Sequence, residues 1–276
     1  MQATQVEAAL KDLPVGGLRC FESVGSTNDE AARWAAQGAP HLALVIAEEQ
    51  TAGRGRSGNT WYSPAGASLA FSLVLYPHQM EPYLLPRLTA LGALAVKDAL
   101  NKLYDLPAQI KWPNDVLVHR QKVSGVLAEA QWDGDQVKAL VLGIGINVTA
   151  ASTAQVNPNT DAIQATCVEA LLGRPVDRLA LLRAVLAEVI SWQPRLATQD
   201  FLQAWESSLA FRGEWVQVSL GQSRGKDGLP GALEGLSPTI EEGKVIGLSQ
   251  DGSLRLRTAS GETVKVSVGE MHLRPS

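Results

Sequence analysis

Residues 45–64 read Val45-Ile46-Ala47-Glu48-Glu49-Gln50-Thr51-Ala52-Gly53-Arg54-Gly55-Arg56-Ser57-Gly58-Asn59-Thr60-Trp61-Tyr62-Ser63-Pro64. An apolar strand runs into a loop in which three glycines alternate with two arginines. Glycine frees the backbone to approach a ligand closely. Each arginine offers a planar fork of donors suited to carboxylate or phosphate. A loop with both properties suits folding over a small anion. Gly53-x-Gly55-x-x-Gly58 also matches the dinucleotide fingerprint literally, but that fingerprint needs a helix opening directly after it. Here the chain continues into Asn59-Thr60-Trp61-Tyr62-Ser63-Pro64, which starts no helix. Two arginines in a chain of net charge −4 make no extended basic stripe for nucleic acid.

Outward from this loop, periodicity and turn residues set the expected elements. A short helix is expected over 5–12 and a strand over 18–24. Ser26-Thr27-Asn28 precede acidic residues and a helix continuing over 31–37, an arrangement that suits a helix start. Strands are expected over 42–47 and 68–75, and a long apolar-periodic helix over 86–103. Residues 110–112 and 116–118 read as a hairpin around Pro113-Asn114-Asp115. Residues 123–131 and 137–148 read as paired strands turning at Asp133-Gly134-Asp135. A polar loop over 149–160 precedes helices over 161–172, 178–193 and 200–209. Beyond Arg212-Gly213 the pattern changes to short strands over 215–220, 244–249, 253–258 and 262–268, as in a small β-barrel. A glycine-rich stretch over 221–243 reads as a long hairpin loop. The expected division is 1–212 for the first domain and 213–276 for the second.

Composition limits the function classes. At 276 residues, with 45% hydrophobic and 19% charged residues, the chain fits one large or two modest domains of ordinary globular type. Acidic residues are dispersed, so no tail points to a polyanion or a membrane. Cys20 and Cys167 lack metal or redox spacing and read as free thiols of a reducing compartment. The N-terminus has no secretory pattern, and no apolar run is long enough to span a bilayer. A cytoplasmic protein is expected. His41, His78, His119 and His272 lack metal-ligand spacing, and neither a G-x-S-x-G nor a P-loop pattern occurs.

Several other groups carry chemistry. The Ser26-Thr27-Asn28 hydroxyls and amide could simply cap a helix, or they could bind a polar, uncharged group. Lys111-Trp112-Pro113-Asn114-Asp115 brings a lysine, an amide and a carboxylate to one tight turn. That turn could be a surface ion pair, or Asp115 could hold Mg²⁺ with Lys111 beside phosphates. Lys122 heads an alternating strand in which Gly125 permits backbone contact. Gly143-Ile144-Gly145-Ile146-Asn147 ends the next strand with the same device. Glycines inside two adjacent strands suggest a ligand laid against the sheet.

Taken in order, these motifs resemble the biotin protein ligases. The resemblance runs from about Phe21 to Arg274. It rests on Ser26-Thr27-Asn28, Gln50 to Gly58, Trp61-Tyr62-Ser63-Pro64, Lys111 to Asp115, Lys122 to Glu129 and Gly143 to Asn147. It implies an α+β fold: a mixed β-sheet flanked by helices, of the class II aminoacyl-tRNA synthetase kind, followed by a small SH3-like β-barrel. It also implies a reaction. Biotin and MgATP give biotinyl-5′-adenylate, which then acylates one lysine of the biotin carboxyl carrier protein of acetyl-CoA carboxylase.

By the same resemblance, Ser26, Thr27, Asn28 and Gln50 line the biotin site, with Gly53, Gly55, Gly125 and Gly145 close to the ligand. Arg54, Arg56 and Lys122 bind the carboxylate and phosphate and carry the catalysis. Trp61, Lys111, Asn114, Asp115 and Asn147 serve the nucleotide, and Asp115 is the candidate Mg²⁺ ligand. The chain departs from family patterns in three places. Only some two dozen residues precede Ser26, whereas bifunctional members carry an N-terminal DNA-binding domain, so no DNA partner is expected. Asn59 stands where the family loop often has arginine, and the 221–243 stretch is long. No membrane partner is expected either, and a homodimer stays open. A lipoate ligase and a non-catalytic biotin sensor are the alternatives. The loop from Gly53 to Trp61 is also expected to be mobile without ligand and to order around biotin or the adenylate, because three glycines give it high chain entropy and its two arginines repel each other until an anion bridges them.

Overall fold

The computed structural model describes residues 1–76, 84–154, 163–219, 240–267 and 269–273. Its larger sheet has seven strands in the order β1-β2-β3-β7-β6-β5-β4. These are β1 (Gly17–Val24), β2 (Ala43–Gln50), β3 (Ser68–Leu75), β4 (Ala108–Lys111), β5 (Asp115–Val118), β6 (Gln121–Asp133) and β7 (Gln136–Asn147). Only β1 and β2 run parallel; the remaining neighbours are antiparallel, so the sheet is mixed.

Helices cover both faces, which is why the central strands read as near-continuous apolar runs. The helices are α1 (Ala3–Leu10), α2 (Thr27–Ala36), α3 (Leu85–Tyr104), α4 (Val168–Leu172), α5 (Arg178–Trp192) and α6 (Gln199–Ser207). Alternation sorts the strand side chains. Leu44, Ile46, Phe71, Leu73, Leu142 and Ile144 join Leu91 and Leu94 of α3 in the main core. Ala43, Val45, Val74 and Val141 face Ala31 and Ala35 of α2. By the same period, Ser72, Gly125, Leu127, Glu129, Gly143 and Gly145 fall on the α2 face. That face carries the site.

The second sheet has the order β11-β10-β9-β8-β12, from β8 (Trp215–Ser219), β9 (Ile240–Leu248), β10 (Leu254–Arg257), β11 (Thr263–Val266) and β12 (Glu270–Leu273). Its buried Val216, Val218, Val245, Leu254, Leu256 and Met271 continue the main core. The β9–β10 turn meets the larger sheet directly. Trp112 Nε1 donates to the Gly252 carbonyl at 3.0 Å, and Arg87 donates to the carbonyls of Leu196, at 2.9 Å, and Gln250.

Two expectations need correction. The helix expected over 161–172 is α4 alone. Residues 163–167 instead lie extended beside β6, where Lys122 N donates to Gln164 O and Thr166 N to Lys122 O, both at 2.8 Å. A strand edge offering unpaired backbone groups has outweighed helix propensity there. The fifth strand, β12, was not anticipated, and β9 begins at Ile240, inside the stretch expected as a loop. Residues 155–160 of the expected polar loop and 221–239 of the glycine-rich stretch lie outside the described residues.

Candidate functional site

A cavity of about 510 Å³ opens over the α2 face of the larger sheet. Of the candidate residues, Ser26, Thr27, Asn28, Gln50, Arg54, Gly55, Arg56, Trp61, Lys111, Asn114, Asp115, Lys122, Gly125 and Gly145 all line it. Gly53 and Asn147 do not. Gly53 sits beneath the loop, where an added Cβ would lie 2.4 Å from the Trp61 carbonyl oxygen. Asn147 is buried and donates its amide to Thr166 O at 3.1 Å.

One end of the cavity is neutral and hydrogen-bonding. Ser26 is the N-cap of α2 in backbone conformation, yet its side chain makes no capping bond. Gln50 Oε1 performs that service from β2, accepting from Thr27 N at 2.8 Å and Thr27 Oγ1 at 3.0 Å. The buried Ser72 hydroxyl of β3 lies against both Thr27 Oγ1, at 2.8 Å, and Asn28 Oδ1, at 2.6 Å. Asn28 Nδ2 donates to Glu129 Oε2 at 2.7 Å. Beneath Asn28 lies Gly143, where a Cβ would come within 2.1 Å of Oδ1. Capping alone therefore does not account for Ser26-Thr27-Asn28.

The glycine–arginine loop folds back as a flap. Isolated bridges pair Gln50 with Ser63 and Arg54 with Thr60. Gly55 N donates to Asn59 O at 2.7 Å, and Trp61 N to Gly53 O at 2.9 Å. Trp61 is thereby laid across the glycine floor: a Cβ at Gly145 would meet its ring at 2.4 Å, and one at Gly125 at 3.1 Å. The Trp61 Nε1 proton donor is buried without a hydrogen-bond partner among the described residues. The charge of Arg54 is compensated by carboxylates. Arg54 is ion-paired to Asp29 and, at 2.9 Å, to Glu129. These contacts, the Asp29 hydrogen bond foremost, raise its pKa and hold it charged. Arg56 reaches toward the turn, with Nη1 at 3.4 Å from Asn114 Oδ1.

The other end is ionic. The turn between β4 and β5, with a cis Trp112–Pro113 bond, is stitched to β6 by Val126 N to Asn114 O at 3.0 Å and Asn114 Nδ2 to Val126 O at 3.2 Å. This holds Asp115 in the floor, 2.7 Å from Lys122 Nζ and 3.5 Å from Lys111 Nζ. Burial works to raise the Asp115 pKa, but the two ammonium groups outweigh it, and the net shift is downward. Among the described residues no three His, Cys, Asp or Glu side chains gather to hold a metal ion. The Asp115 carboxylate is enclosed by lysines, so the chain's own donors do not fit Mg²⁺ at the expected position.

Sequence reasoning missed several contributors. Ser72 and Glu129 stand behind the lining, while His119, Gln121 and, from the second sheet, Met271 belong to it. Ser72 had a signal, a hydroxyl interrupting an apolar strand; Met271 had none.

Comparison with known proteins follows the same segments. The family model described as the biotin/lipoate A/B protein ligase family matches residues 20–147, and the biotin protein ligase C-terminal domain matches residues 233–274. The biotin–acetyl-CoA-carboxylase ligase of Paracoccus denitrificans is 35% identical over 245 residues, covering 87% of this chain and 93% of that protein. The Mycobacterium tuberculosis enzyme of the same name is 33% identical over 288 residues, covering 97% and 96%. A biotin protein ligase from Aquifex aeolicus in complex with biotin and ATP superposes with a TM-score of 0.74 at 29% identity, covering 94% of this chain and 99% of that one.

Proposed function

The chain belongs to the biotin protein ligase family, and from that premise we propose that this cavity joins biotin to ATP and passes the biotinyl group to a carrier lysine. The observation that carries the reading is the cavity's division into a neutral hydrogen-bonding end and a cationic end across a glycine floor. Ser26, Thr27, Asn28 and Gln50 suit a ureido ring, which both donates and accepts hydrogen bonds. The dithiolane of lipoate has no such groups and would leave those partners unsatisfied. Lys111, Lys122 and Arg56 suit the carboxylate and the phosphates.

The biotin carboxylate oxygen attacks the α-phosphorus of ATP; a P–O bond forms, the bond to pyrophosphate breaks, and pyrophosphate leaves. Lys122 and Arg56 offset the charge gathered as these anions meet. The neutral amine of a carrier lysine then attacks the anhydride carbonyl. A C–N bond forms, the C–O bond to AMP breaks, and the amine proton is lost to solvent. The flap from Gly53 to Trp61 excludes water from the anhydride meanwhile. Asp115 keeps Lys122 and Lys111 together at the floor. Magnesium accompanies the phosphates of ATP, the usual mode for that ion, and no step here depends on a protein-held metal.

The partner is the biotin carrier domain of a carboxylase, and the division at 212/213 makes the second sheet a support for the Trp112 turn. No helix among the described residues is long and apolar enough to cross a membrane; a cytoplasmic setting supplies the ATP. A net charge of −4 disfavours DNA binding. A homodimer is an assembly to be measured. The decisive experiment is pyrophosphate release with biotin against lipoate, followed by transfer of labelled biotin to a carrier domain. Release with lipoate alone would replace the assignment, and binding without release would make the chain a sensor.

A further inference from the structure

The Lys122–Glu129 motif ends in a carboxylate that none of the roles above uses. Glu129 lies on the cavity face of β6 and touches two different parts of the site. One oxygen accepts from Asn28 Nδ2 at 2.7 Å. Both lie within reach of Arg54 Nη2, at 2.9 and 3.1 Å. Asp29, the next residue of α2, holds the other arm of the same guanidinium. Arg54 is thus turned toward two carboxylates contributed by separate elements. Its backbone, meanwhile, pairs with Thr60 within the flap.

We propose that Asp29 and Glu129 are positioning residues that latch the flap over the cavity by gripping Arg54. The geometry suits an arginine: the two terminal nitrogens of one planar fork point to different carboxylates, Nη1 to Asp29 and Nη2 to Glu129. It also explains how the neutral end and the flap are joined. Glu129 accepts from the Asn28 amide, which turns Asn28 Oδ1 toward Ser72, and the same carboxylate pins Arg54. The three side chains are 40%, 47% and 41% exposed for Arg54, Asp29 and Glu129. The latch is therefore modest in strength and weakened by salt, as a device that must open each turnover requires. Its consequence for a reactive intermediate rests on the ligase assignment above; the latch itself does not.

Amide hydrogen exchange of the 53–61 segment in the ligand-free full chain tests the latch directly. Glu129→Gln and Asp29→Asn should each speed exchange there about three- to tenfold at low salt. Sodium chloride at 1 M should speed the wild type but not Arg54→Gln. In an Arg54→Gln background, adding Glu129→Gln should change nothing further, whereas a purely structural role for Glu129 would act in both backgrounds. Should Glu129→Gln fold poorly, Asp29→Asn decides, since Asp29 does not contact Asn28. Unchanged exchange in Asp29→Asn, or an equal effect of Glu129→Gln with and without Arg54, overturns the latch. With biotin and ATP supplied, the same variants should release about three- to tenfold more biotinyl-adenylate per biotin transferred, while the Asp29→Asn KM for biotin moves less than about twofold. A wild type that forms no adenylate would remove the ligase assignment and leave the exchange result standing.

Discussion

At the scale of the residue, the Lys111–Asp115–Lys122 cluster carries the sharpest expectations. Lys122 is 2.7 Å from Asp115 and lines the cavity. Removing one charge-assisted contact costs about 1.5–3 kcal/mol, so Lys122→Ala should slow pyrophosphate release at least about tenfold. Rates like the wild type from a folded variant would take Lys122 out of the chemistry. Asp115 also makes stability depend on pH. Its folded pKa lies below the ordinary value of 3.8, so the unfolded chain binds the proton more readily. The stabilisation is complete above that ordinary value and is lost as pH falls through the folded one. Asp115→Asn should therefore be less stable than the wild type at pH 7, with the gap shrinking below about pH 4. Urea unfolding at pH 7 and pH 3 measures it; a constant gap would mean that the ion pairs do not set it.

At the scale of the element, the flap is a short antiparallel excursion between β2 and β3 and not a free loop. Its hydrogen bonds fix which side chains face inward. Asn59 lies at the exposed rim of the cavity, its carbonyl accepting from Gly55 N. Arg56 reaches across the cavity toward Asn114. One more partly exposed cation is worth about 0–1 kcal/mol, so Asn59→Arg should change apparent ATP affinity less than roughly tenfold. Arg56→Ala removes a bidentate donor from a site meant to close, and it should speed adenylate dissociation more. Dissociation rates of the two variants test the ordering. A larger effect at 59 would place that position among the phosphate contacts.

At the scale of the whole molecule, the two sheets share one apolar core and a polar seam at the β9–β10 turn. Gly252 has φ +83°, and a Cβ there would lie 2.5 Å from the Trp205 ring, which is fully buried. Gly252→Ala combines left-handed strain with overpacking, each costing about 1–3 kcal/mol. The seam should loosen as a consequence. Thermal unfolding of the wild type should then be a single transition by both near- and far-ultraviolet circular dichroism. The variant should melt lower and lose activity through the displaced Trp112 turn. Unaltered melting would show that the turn is not a joint.

Much of this architecture could be read along the chain because its causes are local. Glycine in strand interiors, proline in a turn, hydroxyls before a helix and the strand period each depend on a few neighbouring residues. They located β1 to β8, α2, α3, α5 and α6, and they marked the cavity's lining from Ser26 to Gly145. The resemblance to a family rested on the same local motifs. Pairings between distant segments were beyond that reach. Ser72 acts because β3 lies in register with β7 and beneath α2, so that its hydroxyl meets Thr27 and Asn28. Glu129 acts because the flap carries Arg54 over β6. Residues 163–167 are extended because an unpaired strand edge awaited them, and Met271 reaches the cavity through the packing of the second sheet. In each case a long-range contact chose the partner, because tertiary context overrides local preference.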